Sequence, residues 1–461
     1  MKRALLIALL AAITATIGCG GASTSSSNTN LTQTSSGAVY VTGEDAPLAS
    51  VVSFQLTLNS VTLNGQNNAP QVVTNTTVDF ARLIGLRSPL AFNSVPPDTY
   101  SSATITVSSP VIGYVDMTQN PPALNSINGT LPATPYTVTV NFPKPMVVSS
   151  NGLAGLKMEL DIQQTVAVNG SGVVTGAVNP VFYVKATKAS DPDGEVTDLE
   201  GGFVSVSTAN NSFVIQGPYG RQLTVFVNNS TQFNSGWSIN NLAVPAFVAV
   251  QGAFQADGSL MASGVEVITT AQSFLSGRVL QVVNNGSGQA QQVTMWVGET
   301  GADLVADVDT IQTVNLSAVT QYDICFLDGP ITNALFNDTS IEVGQRIFIG
   351  GSYSGGVFTP TMISLRRQGV YGMFVPASVT VTNANAGSFQ ITNNGLVGYA
   401  VGGPVTVNTF NSTFFFNLTG LGQLQTTTTA IPIVGRGLFL KDPVSGTPQF
   451  YAGLVATPPA N

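Results

Sequence analysis

Leu223-Thr224-Val225-Phe226-Val227-Asn228-Asn229-Ser230-Thr231-Gln232-Phe233 recurs, as a degenerate repeat, in Val405-Thr406-Val407-Asn408-Thr409-Phe410-Asn411-Ser412-Thr413-Phe414-Phe415. A fainter copy runs Thr313-Val314-Asn315-Leu316-Ser317-Ala318-Val319-Thr320-Gln321-Tyr322. The copies begin 90 and 92 residues apart, the spacing of a small domain rather than of a solenoid turn. An apolar strand ending in Gly and an aromatic follows each: Val250-Gln251-Gly252-Ala253-Phe254, Ile349-Gly350-Gly351-Ser352-Tyr353 and Val434-Gly435-Arg436-Gly437-Leu438-Phe439. A last strand then closes the unit, as in Gly264-Val265-Glu266-Val267-Ile268, and a strand pair opens it, as in Gly202 to Val206 with Ser212 to Ile215. Five or so short strands with Gly at the bends predict a small closed barrel, the OB barrel being one form. The expected units are 201–271, 272–368 (with an insertion around Glu299 to Thr310) and a divergent 369–461.

Residues 38–190 read differently. Val51 to Leu58, Thr104 to Val107, Tyr136 to Val140 and Lys157 to Gln163 alternate apolar and polar, punctuated by Pro and Gly-Asn turns. In the last run Met158, Leu160 and Ile162 are expected to face a core and Lys157, Glu159 and Asp161 to face water. Such strands at regular spacing suggest a sandwich. The expected fold class is therefore all-β: an N-terminal β-sandwich followed by three tandem small β-barrel-like, OB-like domains. Composition agrees, since only 8% of residues are charged and 47 are Gly, which disfavours helix surfaces. A net charge of −8, with Arg366-Arg367 as the one basic pair after the N-terminal Lys2-Arg3, argues against a nucleic-acid partner.

The chain opens Met1-Lys2-Arg3, then runs apolar from Ala4 to Ala15. This is the n-region and h-region of a secretory signal, too short to span a bilayer. Thr16-Ile17-Gly18-Cys19-Gly20 resembles the lipobox of bacterial lipoproteins. That resemblance implies a signal peptide over 1–18, a lipid on Cys19 and a membrane as partner through that anchor. The polar stretch from Gly20 to Ser36 suits a flexible tether, with anchor and tether together filling 19–37. Gly20 after the Cys implies, by the same resemblance, sorting to the outer membrane.

Two further resemblances concern the domains. Gly43-Glu44-Asp45-Ala46-Pro47, Val95-Pro96-Pro97-Asp98-Thr99-Tyr100, Leu156-Lys157 and the closing Val181 to Lys185 are similar to domain-of-unknown-function family 4382, a lipoprotein domain. This implies a surface β-sandwich and supplies no catalytic residues. The repeated units resemble domain-of-unknown-function family 5666, often found in tandem, with the first copy matching best.

The chain contains no His, which removes His-based nucleophile activation and the commonest metal ligand. Cys325, in Tyr322-Asp323-Ile324-Cys325-Phe326, reads as a buried strand position. Glu159 and Asp161 share a strand face at a spacing that suits glycoside hydrolysis, although alternation alone already explains a solvated pair. The densest acidic run, 191–200, is expected to be a linker between sandwich and first barrel. Its Asp191, Asp193, Glu195, Asp198 and Glu200, next to Gly194, could wrap Ca²⁺; the competing reading is a solvated joint. Glu299, Asp303, Asp307 and Asp309 are expected on an exposed insertion loop. Trp237, Trp296 and Phe414-Phe415-Phe416 could stack on sugars, and core burial is the alternative. The functional expectation is a non-catalytic interaction or envelope-structural lipoprotein with a protein or polysaccharide partner. The alternative is a carbohydrate-binding or carbohydrate-cleaving lipoprotein.

Overall fold

A computed structural model describes residues 36–46, 50–83, 88–169, 173–191, 194–217, 222–328, 335–393 and 395–457. Cys19 and Asp193 lie outside the described residues. Strand accounts for 61% of the chain and helix for 8%, so the all-β expectation holds.

The first domain contains β1 (Gly37–Ala46), β2 (Val51–Gly65), β3 (Gln71–Asp79), β4 (Ser88–Val95), β5 (Asp98–Asp116), β6 (Ala123–Asn128), β7 (Tyr136–Val148), β8 (Leu153–Asp161), the short α1 (Ile162–Thr165), β9 (Val166–Val168), β10 (Val174–Val178) and β11 (Phe182–Thr187). One sheet has the order β11-β8-β1-β4; the other has β3-β2-β5-β6, with β7 also on β5. One core joins the two sheets: Val39 and Val41 of β1 and Leu156, Met158 and Leu160 of β8 pack with Phe54, Leu56 and Leu58 of β2 and with Ile105 of β5. Period-two alternation put those residues on one face, which is what a sandwich needs.

The first barrel holds β12 (Val196–Ser207), β13 (Ser212–Gln216), β14 (Gln222–Phe226), β15 (Gln232–Phe233), β16 (Phe247–Phe254) and β17 (Leu260–Thr269). Its ladder closes on itself: β12 joins β13, β13 joins β14, β14 joins β17 in parallel, β17 joins β16 and β16 returns to β12. Barrel 2 holds β18 (Ser273–Asn284), β19 (Ala290–Thr300), β20 (Thr310–Asn315), β21 (Gln321–Ile324), β22 (Arg346–Ser354) and β23 (Val357–Leu365). It has the same order, β20-β19-β18-β22-β23-β21, with β21 parallel to β23 as β15 is to β17. Barrel 3 holds β24 (Gln368–Phe374), β25 (Thr380–Asn383), β26 (Ala386–Thr392), α2 (Leu396–Val401), β27 (Val405–Thr409), β28 (Phe414–Phe416), α3 (Leu421–Thr426), β29 (Pro432–Lys441) and β30 (Pro448–Ala456). It closes as β24-β26-β27-β30-β29-β24, again with one parallel pair, β27 with β30. Barrels 1 and 3 share the closed five-strand connectivity of a small Greek-key barrel; barrel 2 has the same strand order, with its ladder open between β20 and β23.

The sequence repeat has a physical cause. Thr231 Oγ1 accepts from Asn228 N–H at 3.0 Å and donates to Ala262 O at 2.7 Å. Thr413 Oγ1 accepts from Phe410 N–H at 2.8 Å and donates to Ala452 O at 2.7 Å. Each hydroxyl thus shapes the turn after the third strand and ties it to the last strand. The Gly that precedes an aromatic by two sits at a bulge in all three barrels. At Gly252, Gly351 and Gly437 a Cβ would lie 2.2, 2.2 and 1.9 Å from a carbonyl oxygen of the neighbouring strand, so no side chain fits.

Residues 35–461 form one compact unit rather than beads on a string. Tyr40 of the sandwich stacks on Phe254 of barrel 1 at 5.0 Å. Val52 and Val115 of the sandwich pack with Leu280 and Trp296 of barrel 2. Leu438 and Leu440 of barrel 3 complete the core of barrel 2.

Candidate functional site

Val196–Ser207 is one continuous strand, so residues 196–200 belong to barrel 1 and not to a linker. Asp198 and Glu200 are buried, at 2% and 8% exposure, and β17 adds buried Glu266. Barrel 2 answers with Arg346, which opens β22, and Arg366, which follows β23 and is 0% exposed. Arg346 Nη1 donates to Asp198 Oδ2 at 2.9 Å and its Nη2 to Glu200 Oε2 at 2.7 Å. Arg366 donates through Nη2 to Asp198 Oδ1 at 2.8 Å, through Nε to Glu200 Oε1 at 3.1 Å and through Nη1 to Glu266 Oε1 at 2.9 Å. Asp198 and Glu200 each bridge both guanidinium groups, and Cys325 Sγ donates to Glu266 Oε2 at 3.3 Å. Cys325 is buried, directly after β21.

Burial raises the carboxyl of Asp198, but the Arg366 and Arg346 charges outweigh it and hold the group below its ordinary range. Glu200 stays raised because burial, with Asp198 beside it, exceeds what the arginines return. Burial pushes Arg366 down, whereas the carboxylates of Glu266, Asp198 and Glu200 together raise it well above an ordinary guanidinium. Two flanking groups carry uncompensated burial. Glu299 is pushed up to about 8 by burial and by the charge of Glu200. Arg278, laddered beside Arg346, is lowered to about 9 by burial and by that neighbouring charge.

A second ionic contact joins sandwich to barrel 2. Arg82 pairs with Asp79 at 3.0 Å and with Asp309 at 2.7 Å, donates to Gly298 O, and lies 5.6 Å from the Trp296 ring centre. The insertion acids are therefore not one exposed loop cluster. Asp309 binds Arg82, Asp307 accepts from Gln312 Nε2 at 3.0 Å, Asp303 accepts from Ser273 Oγ, and Glu299 is the last residue but one of β19.

The Ca²⁺ reading loses Asp198 and Glu200, whose oxygens face guanidinium groups. Asp191 Oδ2 accepts from Lys188 N–H at 3.1 Å in the turn after β11, and Glu195 sits in a bend before β12. Among the described residues no group of three or more acidic or thiol side chains is disposed to hold a metal. The solvated reading of Glu159 and Asp161 also needs correction. Asp161 is 1% exposed and caps α1, accepting from Gln164 N–H at 2.9 Å and Gln164 Nε2 at 2.6 Å. Glu159 lies 3.7 Å from Lys157, itself buried. Tyr371 of barrel 3 approaches this face; burial, then the charges of Asp161, Tyr183 and Glu159, push its hydroxyl up to about 12. Trp296 is buried, Trp237 is half-buried against the barrel 1 core, and Phe414 is 40% exposed. Lys185 Nζ sits 3.6 Å from the Phe416 ring centre.

Residues 194–266 match the family model of a domain of unknown function (DUF5666). No curated protein matches the chain. The DUF5666 match covers barrel 1 from just before β12 to within β17, so Asp198, Glu200 and Glu266 are all part of the matched unit. Sequence reasoning missed Arg346 and Glu266 as partners and set Arg366 aside as half of a pair too small to be a patch. In a chain with 8% charged residues, a charge inside an apolar strand such as Val265-Glu266-Val267 was the available signal.

Proposed function

We propose that the chain is an exported bacterial lipoprotein, anchored through an acylated Cys19 in the outer membrane, whose domains act as a non-catalytic interaction or envelope-structural module. One observation carries the non-catalytic part. The acids, guanidinium groups and thiol that could perform chemistry are reciprocal partners at a buried domain junction, where the guanidinium forks occupy the carboxylate lone pairs a general base would need. The absence of His from the sequence and the signal-like N-terminus support the same reading. The similarity of the first domain to domain-of-unknown-function family 4382 belongs to this proposal too, and agrees with its two packed sheets. The test uses the full chain in a bacterial host. Cys19→Ser should release the protein from membranes or leave the precursor unprocessed. Membrane binding and processing like the wild type would reject the anchor. Glycan-array binding, followed by product analysis, then separates the two partner classes; polysaccharide turnover lost in Glu159→Gln would reject the non-catalytic reading.

A further inference from the structure

The contacts between barrels 1 and 2 repeat in both directions. Their ladders set the correspondence. Phe203 N–H donates to Ala246 O as Val279 N–H donates to Gln345 O. From there Gly202 faces Phe247 as Arg278 faces Arg346, and Val248 faces Val267 as Ile347 faces Leu365. Phe247 therefore corresponds to Arg346, Ile268 to Arg366, Glu200 to Ser276 and Glu266 to Ser364. Asp198, on a bulge at φ 51°, precedes Leu199 as Phe274 precedes Leu275.

With positions matched, the interface reads the same from either side. Phe247 of barrel 1 meets Phe274 of barrel 2 at 4.4 Å between ring centres, and Arg346 of barrel 2 meets Asp198 of barrel 1 at 2.9 Å. Ile268 packs in the cluster that holds Phe274, and Arg366 bonds Asp198 at 2.8 Å. When position i of one unit meets position j of the other, and j meets i, the interface is isologous, the mark of twofold pairing. Barrel 3 is the odd unit. Its Phe374 N–H donates to Ile431 O, which puts Tyr371 at the Glu200 position, and the charges that act on that hydroxyl belong to Asp161, Tyr183 and Glu159 of the sandwich, not to another barrel.

We propose that the outer face formed by the first, fourth and fifth strands is a self-pairing surface of this barrel type, that its partner is a second barrel of the same topology, and that barrels 1 and 2 are such a twofold pair fused in one chain. The ionic half gives the pair its direction. Two copies of barrel 1 would set Asp198 against the Phe247 ring, and two copies of barrel 2 would set Arg346 against Phe274. Each leaves a buried charge without a counter-ion, whereas barrel 1 on barrel 2 satisfies both.

Correspondence predicts which apolar side chain fits where. In the full chain, Asp198→Asn, Glu200→Ser and Glu266→Ser remove the acids; Asn tolerates the left-handed backbone of the bulge. On this background the matched variant adds Arg346→Phe and Arg366→Ile, copying Phe247 and Ile268. The permuted variant, of identical composition, adds Arg346→Ile and Arg366→Phe. Thermal unfolding should place the matched variant several degrees above the permuted one and above Arg366→Ile alone. A permuted variant as stable as the matched one, or a matched variant that fails to fold where Arg366→Ile folds, would overturn the proposal.

Discussion

Arg366→Met tests the ionic junction most sharply. The guanidinium is fully buried and makes three charge-assisted hydrogen bonds, at 2.8, 2.9 and 3.1 Å. Removing it takes one of two guanidinium partners from Asp198 and from Glu200, and takes from Glu266 the guanidinium it is bonded to, at a site closed to water. Breaking a buried pair from one side costs about 3–5 kcal/mol, because the stranded charge stays desolvated. Arg346 is 12% exposed in its side chain, so some water reaches that edge, and the lower end, about 3 kcal/mol, is the fitting figure. For a cooperative unit the size of two barrels this lowers the unfolding midpoint by about 6–12 °C. Urea denaturation followed by tryptophan fluorescence measures it. Adding Asp198→Asn and Glu266→Gln to Arg366→Met removes the excess charge, leaves the Arg346–Glu200 contact at 2.7 Å, and should restore most of the loss. A single variant within about 1 kcal/mol of wild type, the range of an exposed ion pair, would refute the reasoning.

Glu299 predicts a pH dependence. Its carboxyl, ordinarily 4.5, is pushed up to about 8 in the folded chain. Between those values the folded state holds a proton that the unfolded state has lost, so stability falls as pH rises through that window. Glu299→Gln should flatten the fall in urea midpoint from pH 5 to pH 8, and an unchanged slope would contradict the assignment. Thr231→Val and Thr413→Val should each cost about 1–3 kcal/mol through the lost tie between turn and last strand. Thr413 should cost more, being 4% exposed where Thr231 is half-buried; denaturation of the two variants side by side gives the ranking.

The three barrels were legible in the sequence because the features that mark them are local. A turn hydroxyl recurs at Thr231 and Thr413 because barrels 1 and 3 use it to tie a turn to the last strand, and a bulge Gly recurs at 252, 351 and 437 because all three barrels bend there. Sandwich alternation was legible for the same reason. The junction was not, because its partners lie far apart in the chain: Asp198 and Arg366 are 168 residues apart. No periodicity pairs such residues. Asp198 and Glu200 also sat in an acidic run that opens with Asp191 in the turn after β11, and that neighbourhood hid the strand signal of Val196-Thr197-Asp198-Leu199-Glu200. Alternation at Asp161 correctly placed it away from the sandwich core. It could not show that Asp161 would be buried as the cap of α1, accepting from Gln164.

The central claim is that barrels 1 and 2 are one unit, joined by the aromatic trio Phe247, Phe274 and Phe348 and by the buried ionic cluster. Native-state hydrogen exchange on the full chain, read by mass spectrometry across low urea concentrations, tests it directly. Amides of β12 and β17 in barrel 1 and of β22 and β23 in barrel 2 should open together, with one free energy and one urea dependence. Arg366→Met should also lower protection in both barrels equally. Barrel 1 opening at its own lower free energy, with barrel 2 protection unchanged by that substitution, would contradict it.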